Sequence, residues 1–594
     1  MKKIHFILAI MAMICLPGTT TAQIYDFIVG GIPYKILSPM EHTVEVPEYG
    51  CNRLSGNVPI PATVTHDGTT YSVVALADNA FYGSRITGVS IPSSVTRIGY
   101  GCFMATNLTS ITVPATVTYI GPLAFASTGI TAINVAEDNP SYRAIDGILY
   151  SKDTSTLVEC PFSKSGIMEL PQQVKHIAPY GFAYCQTITG YILPEGMQSI
   201  GFWSFVDNQR LSNITIPSTV SHIEGSPFAN CMSLDSITIA EGNSHYYMDG
   251  LMLYSTGGDT LLSCHKSTDT VRLPSTLHVL TGFAGNGNIR HVVVPDSVTT
   301  ILDNAFNSST LTSIDLPRKM DLIGEYAFYN CDALVRANMP DSLSTMGMGC
   351  FENDGALTTI VIPNGMRIVP RDAFYGCESL ASVTFGNDVV VIDTSAFGGC
   401  ALGELVLPPL LRTVRLGAFS CYTQGLPMSR VVFNSEVDTI EQEAFTWRHI
   451  GMLRLINSVP PVTVTMPEYG NDYGCLFEAN VDTILIPCGS LQTYLTDNYW
   501  NLFADKFVED CNSLDKPEKK VVTVFPNPAT NRIVVDNVLG YQVIELVNIL
   551  GQTILRRTLE DSSIEITVGN LPRGAYLLRL HGNNGSVDKK MILQ

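Results

Sequence analysis

Histidine, cysteine and acidic residues are the side chains of this sequence that could carry out chemistry. The sequence has no H-E-x-x-H zinc motif, no G-x-S-x-G nucleophile elbow, no Walker loop and no spaced pair of CxxC sequences. His176 and His222 occupy equivalent V-x-H-I segments, and we interpret them as exposed repeat variants rather than a metal pair. The acidic residues are dispersed, without an evident pair for glycoside hydrolysis. We therefore predict no catalytic residue, no metal ligand and no cofactor.

Cysteine recurs at one position, three residues after a phenylalanine. The members of this set are Cys185, Cys231, Cys331, Cys377 and Cys400. A residue type that returns at one position predicts a buried packing role, since a free cysteine behaves as a small hydrophobe. Cys475, Cys488 and Cys511 lie outside this register. A disulfide among these three stays open, because exported proteins form disulfides.

The phenylalanine itself, usually preceded by Ala or Cys, marks a repeat of 22 or 23 residues. The unit reads approximately L-x-x-I-x-I-P-x-x-V-x-x-I-x-x-x-A-F-x-x-C, and its first half is clear at 108–114 and 311–317. The repeat phenylalanines are Phe81, Phe103, Phe125, Phe182, Phe205, Phe228, Phe306, Phe328, Phe351, Phe374, Phe397 and Phe419.

The pattern of the unit predicts a stack of coils. The I-x-I alternation suits a short strand with one buried face. Proline then ends the strand, because it has no N–H to donate. One unit cannot bury its own apolar face, so neighbouring units must stack. Each phenylalanine is expected to lie on the phenylalanine of the next coil.

The regular spacing is interrupted twice, near 136–171 and 240–273, by segments that match each other. Asn139 and Tyr142 of the first correspond to Asn243 and Tyr246 of the second, and each segment has an Asp-Gly pair between apolar runs, which signals a hairpin. Together these features resemble the BspA-type leucine-rich repeat proteins of bacteria over roughly 25–510. The resemblance implies a solenoid at 76–510 with hairpin islands, behind an N-terminal β cap at 23–75.

Both ends of the chain look like export signals. Residues 1–22 read as a signal peptide, with Lys2 and Lys3 before a short apolar stretch, and cleavage is expected between Ala22 and Gln23. Residues 511–520 read as a polar linker. After it the repeat period vanishes, and short strand-like runs at 521–594 predict a small antiparallel β-sandwich.

The final segment is similar to the type A C-terminal sorting domain of the type IX secretion system. The matching residues include Phe525, Pro526, Asn527, Pro528, Gly574, Tyr576, Lys589 and Lys590. The resemblance implies contact with the type IX machinery and export across the outer membrane. It also implies removal of the domain, often with attachment of the mature protein to surface polysaccharide. The alternative is an adhesion sandwich that the protein retains.

The composition of the chain excludes some classes of partner. The net charge is −19, which argues against nucleic acid, because phosphate contacts need a basic surface. No segment carries the 18 or so uninterrupted apolar residues of a transmembrane helix. We expect a mainly β, monomeric protein on the outer cell surface or outside the cell: a leucine-rich-repeat solenoid with short helical turns, β-hairpin islands and a β cap, followed by the sandwich.

The predicted strands offer a surface rather than a reactive site. The residues on either side of the middle Ile face outward and form a strip rich in hydroxyl groups. The candidate ligand-contacting residues are Ser110, Thr112, Asn213, Thr215, Ser236, Thr238, Ser313, Asp315, Arg336, Asn338, Ser382 and Thr384. Solenoids commonly bind proteins on such broad faces, and the family resemblance implies an adhesin for host matrix proteins or other cells. The alternatives are a passive spacer and plain exposed-strand residues without a ligand.

Overall fold

A computed structural model describes most of the chain between residues 25 and 593. The described ranges are 25–48, 51–264, 269–285, 287–421, 427–463, 474–476, 478–511, 523–525, 532–536, 538, 541–548, 552–559, 563–582 and 585–593. They form two compact units, one made of the described residues up to 486 and of 490–508, and the other of 487–489 and the described residues from 509 on.

Short strands of the first unit form two rows along a solenoid. The front row holds the I-x-I strands, which are Ser55–Pro59, Arg85–Ser90, Ile111–Val113, Ile133–Val135, Ser165–Glu169, Thr187–Ile192, Asn213–Ile216, Ser236–Ile239, Thr270–Arg272, His291–Val293, Ser313–Asp315, Arg336–Asn338, Thr359–Val361, Ser382–Thr384, Glu404–Val406, Met428–Val432, His449–Arg454, Asn480–Pro487 and Phe507–Asp510.

The back row begins with the strands of the cap and continues with the V-x-x-I strands of the coils. Its strands are Phe27–Val29, Ile32–Ser38, Thr43–Val46, Thr63–His66, Thr69–Leu76, Arg97–Ile98, Tyr119–Ile120, Tyr142–Ile145, Ile148–Ser151, Thr156–Glu159, His176–Ile177, Ser199–Ile200, His222–Ile223, Tyr246–Asp249, Met252–Ser255, Thr260–Cys264, Val279–Leu280, Thr300–Ile301, Leu322–Ile323, Thr345–Met346, Ile368–Val369, Val391–Ile392, Thr413–Val414 and Thr439–Ile440.

Alternating burial explains why the front-row segments are strands. In Ile111–Val113 the two aliphatic ends are buried and Thr112 is exposed. This strand pairs in parallel with the equivalent strand one coil later, so that Thr112 lies beside Asn134. Stacking of successive coils buries the apolar side chains of one coil against those of the next, which is the reason a single unit would not be stable alone.

The predicted phenylalanine stack is confirmed. The repeat rings lie nearly parallel, with centroids 4.8 to 6.0 Å apart from one coil to the next. The stacked runs are 81–103–125, 182–205–228 and 283–306–328–351–374–397–419–445. Stacked aromatic pairs add about 0.5–1.5 kcal/mol each beyond the burial of their area.

Two left-handed residues shape the turn that carries each ring. Around Phe306 they are Asn304 and Ser308, with φ of 57° and 56°, two residues before and two residues after the ring. Around Phe374 they are Asp372 and Gly376, with φ of 55° and 72°. Asn, Asp and Gly adopt this conformation at least cost. The Asn and Gly residues before the repeat cysteines therefore have a backbone role.

The islands divide the core into three blocks. The buried apolar residues of the first block lie between Phe27 and Leu149, those of the second between Ile148 and Leu262, and those of the third between Tyr254 and Trp500. An antiparallel hairpin marks each division, formed by Tyr142–Ile145 with Ile148–Ser151 and by Tyr246–Asp249 with Met252–Ser255. The back row is interrupted at the same two places and once more within the third block, between Thr345–Met346 and Ile368–Val369.

One asparagine closes the loop before each hairpin. The Asn139 amide donates to the carbonyls of Pro114 and Val117 at 2.7 and 3.0 Å. Its oxygen accepts from the backbone N–H groups of Ser141 and Tyr142, both at 2.8 Å. Asn243 makes the same four bonds in the second island, to Pro217, Val220, His245 and Tyr246. The sequence correspondence between the two islands is therefore also a structural one.

Replacing Asn139 with Ala is expected to destabilise the solenoid by about 2–4 kcal/mol. The residue is fully buried, and its loss removes the bonds that it makes to the N–H groups of Ser141 and Tyr142 and to the Val117 carbonyl, while the Pro114 carbonyl keeps only a long bond of 3.3 Å from the Val117 N–H. Urea unfolding measures the change. Asn243→Ala is the matched variant, and a smaller loss is expected there because Asn243 is only half-buried. Equal stability of Asn139→Ala and the unmodified protein would contradict the assigned role.

The last coils are closed by a helical segment. An α-helix spans Leu491–Thr496 and a 3-10 helix spans Trp500–Phe503. The buried Trp500 donates from Nε1 to the Pro461 carbonyl at 3.0 Å. Cys488 and Cys511 form a disulfide, whereas Cys475 is free and buried. Among the described residues, no helix has the length and apolar character to cross a membrane.

The second unit contains two antiparallel sheets. One is formed by Thr523–Phe525, Arg532–Asp536 and Ser563–Thr567, and the other by Tyr541–Asn548, Thr553–Thr558, Gly574–Gly582 and Gly585–Leu593. Their strands share one apolar core, in which Ile533 and Ile566 of the first sheet join Leu546 and Leu578 of the second. This arrangement agrees with the small antiparallel sandwich that the short strand-like runs predict.

Candidate functional site

The predicted strip lies on the front row, but the row is not one continuous sheet. Eleven of its twelve residues are exposed and Ser313 is half-buried. Parallel pairing brings Asn213 and Thr215 beside Ser236 and Thr238. It also brings the pair at 313 and 315 beside the pair at 336 and 338. Thr112 lies in a separate two-stranded sheet and Ser110 directly precedes its strand, and the structure does not bring these two residues to the other members.

Charged residues of the strip and of the nearby strands Glu404–Val406 and Met428–Val432 are paired with their neighbours on the next coil. Arg336 Nη2 lies 3.5 Å from Asp315 Oδ1, which also accepts from the Asn338 amide at 2.7 Å. Arg430 binds Glu404 through two nitrogens at 2.5 and 2.6 Å. Exposed pairs of this kind contribute little to stability. Their consequence is that the strip presents almost no unpaired charge.

A cleft opens in the front row between the strands Ser382–Thr384 and Glu404–Val406. These strands belong to different hydrogen-bonded sheets, and a volume of about 420 Å³ lies at the opening. We call it the front-row cleft; its lining includes Ser382, Thr384, Phe385, Glu404, Val406, Pro408 and Asn434. The sequence prediction includes Ser382 and Thr384 but omits Glu404 and Val406. The repeat pattern could have found both, because they flank Leu405 as Ser382 and Thr384 flank Val383.

The repeat cysteines are buried and free, and they have a structural role. The thiols of Cys231, Cys331, Cys377 and Cys400 lie 3.0 to 3.2 Å from the carbonyl of the repeat phenylalanine one coil earlier. Burial raises the pKa of the Cys400 thiol to about 12. A nucleophilic cysteine needs the opposite shift. These cysteines therefore donate hydrogen bonds to buried carbonyls and offer no reactive thiolate.

Buried carboxyl groups also bind the backbone, as acceptors of hydrogen bonds from buried N–H groups. In regular coils the N–H of the repeat phenylalanine donates to a carbonyl of the next coil, as Phe103 does to Ala124 at 2.9 Å. Phe125 precedes the first island and donates instead to Glu159 Oε1 at 2.9 Å. Asp354 Oδ1 accepts from the Cys331 N–H at 2.8 Å. Burial raises the pKa of Glu159 to about 8 and that of Asp354 well above its ordinary value.

The two histidines of the V-x-H-I segments do not converge. Their strands are separated by the strand of Ser199, which pairs with both. His176 Nδ1 lies 2.8 Å from the Ser199 hydroxyl, and His222 lies beside Glu224 at 3.9 Å. Among the described residues, no three His, Cys, Asp or Glu side chains are placed to share a metal ion.

Residues of the predicted sorting motif lie along the strands of the second unit. Tyr576 is buried and donates from its hydroxyl to the Pro572 carbonyl at 2.8 Å. Gly574 is exposed and begins the strand that Tyr576 continues, while Lys589 and Lys590 lie in the last strand. Phe525 ends the first strand of the unit. Pro526, Asn527 and Pro528, like Ala22 and Gln23, lie outside the described residues.

Comparison with known proteins adds two family matches. Six copies of the BspA type leucine-rich repeat region match residues 68–144, 153–256, 280–401 and 345–463. A secretion system C-terminal sorting domain matches residues 523–594. A search of curated proteins finds no match for the chain.

The following solved structures are similar to the chain at low sequence identity. A leucine-rich repeat protein from Eubacterium ventriosum is 22% identical over 66% of this chain and 93% of its own, with a TM-score of 0.40. One from Bacteroides ovatus is 22% identical over 82% of this chain and 100% of its own, with a TM-score of 0.35. The pneumococcal vaccine antigen PcpA is 14% identical over 82% of this chain and 98% of its own, with a TM-score of 0.32.

The repeat matches together cover more than half of the sequence and contain the stacked phenylalanines of the solenoid. The sorting-domain match covers the strands of the second unit and implies export to the cell surface or beyond it. The chain belongs to the BspA-type leucine-rich repeat family and carries a secretion-system sorting domain at its C-terminal end.

Proposed function

We propose that this protein is a surface or secreted adhesin, and that its solenoid binds proteins of the host matrix or of other cells without catalysis. The observation that carries the proposal is the front-row strip, whose polar side chains point outward at regular intervals on successive coils. Solenoids use extended faces of this kind for protein partners. Contact with the type IX machinery, removal of residues 521–594 and anchoring to surface polysaccharide are part of the same proposal.

A passive spacer is the second candidate, and one observation favours it. Charges on the strip and beside it are neutralised by neighbouring coils, as with Arg336 and Asp315 and with Arg430 and Glu404, so those side chains are already occupied. A surface whose charges are paired internally attracts charged partners weakly, because steering depends on unpaired charge. The spacer needs only the stacked core and the export signals.

Binding of the purified full chain to immobilised extracellular-matrix proteins separates the two candidates. The adhesin predicts saturable binding to at least one matrix protein or to whole cells, measured by surface plasmon resonance and cell adhesion. Substituting strip residues with Arg in pairs, such as Thr215 with Thr238, then tests whether this face makes the contact. Absence of saturable binding to matrix and cells would leave the spacer. Turnover of a peptide or glycan by the chain would overturn both.

A further inference from the structure

The turn that carries each repeat phenylalanine is a third side of the coil, because it leads from a back-row strand to the next front-row strand. In the coils of Phe328, Phe351 and Phe374 this side combines acidic and tyrosine side chains. We call this group the acidic turn patch; its residues are Glu325, Tyr326, Tyr329, Asp332, Glu352 and Glu378. The patch is on a different side of the coil from the front-row strip.

Three exposed acids of the patch lack a basic partner. Within the described part of the chain, no Lys, Arg or His forms an ion pair with Glu325, Asp332 or Glu378. Partial desolvation and the nearby carboxylate of Glu378 both raise the pKa of Asp332. Arg371, on the same side of the coil, is paired with Asp372 at 3.0 Å. The patch therefore carries uncompensated negative charge, unlike the paired charges of the front row.

One oxygen of the Glu352 carboxyl group is buried in the patch without a partner. Glu352 is 2% exposed, and among the described residues its Oε2 has no hydrogen-bond partner. Gly349 makes room for this oxygen, because a Cβ there would lie 2.7 Å from it and 2.5 Å from the Tyr326 ring. The unpaired oxygen therefore lies beside an aromatic ring, and leaving it unpaired is unfavourable. A donor supplied by a ligand would remove that penalty.

A bound cation would also change the charge of Glu352. Burial raises the pKa of Glu352 to about 8, with Asp372 adding to the rise and Arg371 opposing it, so the group holds a proton near neutral pH. An opposite charge nearby favours the ionised form. A cation beside Glu352 would therefore lower its pKa, release the proton to solvent and add one more carboxylate to the patch.

The aromatic rings and the spacing of the acids favour organic cations over a metal ion. Tyr326 is half-buried and meets Tyr329 edge-on with centroids 5.8 Å apart, so part of its ring is open to a ligand. An ammonium or guanidinium group gains a cation–π contact on such a ring. The acids are spread over three coils, about 10 Å at a strand spacing of about 4.8 Å, and no three His, Cys, Asp or Glu side chains of the described chain converge on a metal position. Several basic side chains of one segment match this spacing better than one ion.

We infer that the acidic turn patch binds a segment of a partner protein that is rich in Lys and Arg. The inference rests on the proposed adhesin function and adds to it a contact on the turn side and the charge of the partner. One basic side chain of the segment lies over the Tyr326 ring and donates to Glu352. Others pair with Asp332 and Glu378 on one side and with Glu325 on the other. Complementary charge of this kind speeds association and rejects acidic partners.

Fluorescence anisotropy of a labelled oligolysine peptide, titrated with the full chain at physiological salt, tests the inference. The unmodified chain should bind the peptide saturably. A patch variant that combines Glu325→Gln, Asp332→Asn and Glu378→Gln removes the three unpaired charges. Its affinity for the peptide should be at least about tenfold lower.

A control variant separates the patch from the overall negative charge of the chain. It combines Glu195→Gln, Glu241→Gln and Asp341→Asn, three exposed acids in the loops that lead from the front row to the back row. The control therefore has the same net charge as the patch variant. Its affinity for the peptide should differ from that of the unmodified chain by about twofold or less.

The outcomes separate this inference from the proposed function. Absence of saturable peptide binding, or equal losses in the patch and control variants, overturns the patch as a site. Calcium binding, measured by calorimetry without peptide and lost in the patch variant, overturns the basic segment in favour of a metal ion. Matrix or cell binding that persists in the patch variant overturns the patch as the partner's contact and leaves the adhesin standing. Circular dichroism of both variants confirms that each is folded.

Discussion

Replacing Phe351 with Ala is expected to destabilise the solenoid by about 3–5 kcal/mol, the range typical of a buried Phe→Ala change. The ring is fully buried and stacks on Phe328 and Phe374, with centroid distances of 4.8 and 5.5 Å. Truncation removes both stacked contacts and leaves a cavity in the middle of the longest run. Urea unfolding followed by circular dichroism measures the loss.

Two further variants separate stacking from burial. Phe351→Leu keeps an apolar side chain but removes both ring pairs, and we expect a loss of about 1–3 kcal/mol. Val361→Ala, at an exposed position one strand later, should change stability by about 0.5 kcal/mol or less. A Phe351→Leu protein as stable as the original would mean that the rings contribute through area alone.

The loss of stability in Phe351→Ala should also be confined to the coils near Phe351. Each coil contacts mainly its neighbours, so stability is the sum of coil terms and nearest-neighbour terms. Hydrogen exchange should accelerate at the coils of Phe328 and Phe374, while amides near Phe103 in the first core block keep their protection. Uniform acceleration over the whole solenoid would contradict three separate core blocks.

Stability is expected to fall as the pH rises from about 5 to about 8. Burial raises the pKa of Glu159 and of Glu352 to about 8, and at Glu352 the nearby Asp372 adds to the rise while Arg371 opposes it. Burial likewise raises the pKa of Asp354. In the unfolded chain such groups titrate near about 4.

The direction of this change in stability follows from the number of protons that the folded and the unfolded chain bind. Between about pH 4 and about pH 8 the folded chain holds protons that the unfolded chain has released, so the free energy of unfolding decreases with pH across this window and levels off above it. For Glu159 the change is on the order of 4 kcal/mol. Urea unfolding at a series of pH values gives the slope directly.

Glu159→Gln isolates one of these groups. The amide keeps an oxygen for the Phe125 N–H but cannot ionise, so the variant should gain stability at about pH 8 and show a flatter profile. Asp153→Asn is the control, because bonds from Ser151 and Ser155 lower the pKa of this exposed carboxylate to about 2 and it stays ionised throughout. A Glu159→Gln profile as steep as the original would contradict a protonated Glu159.

The sequence pattern was enough for the parts of the fold that depend on apolar spacing. Phenylalanine at a constant step predicts the ring stack, and the shared Asn and Tyr of the two islands predict their equivalence. The left-handed turns could not be predicted, because Tyr184 and Trp203 hold positive φ at positions where other coils have Asn or Gly. A bulky residue gives no signal of that conformation.

Contacts between residues far apart in the chain are the second feature of the structure that the sequence does not predict. At the first island the regular Ala-Phe segment, whose carbonyl would accept from the Phe125 N–H, is absent. The Glu159 carboxyl accepts this hydrogen bond instead, and Glu159 is buried for that reason. The front-row cleft depends on a missing ladder between two strands that both have the ordinary alternating pattern. Ser382 and Thr384 are thus predictable as outward residues, and their cleft is not.

The three core blocks also determine how a tethered molecule would respond to pulling. At each island the phenylalanine stack and the back row both stop. What bridges the blocks there is a smaller apolar cluster, which includes Leu123, Tyr184, Trp203, Ala229 and Ala284. We expect a chain under tension to extend first at the two islands, because the ring stack and the back-row pairing are both interrupted there. Extension at the islands would lower the force on the three core blocks.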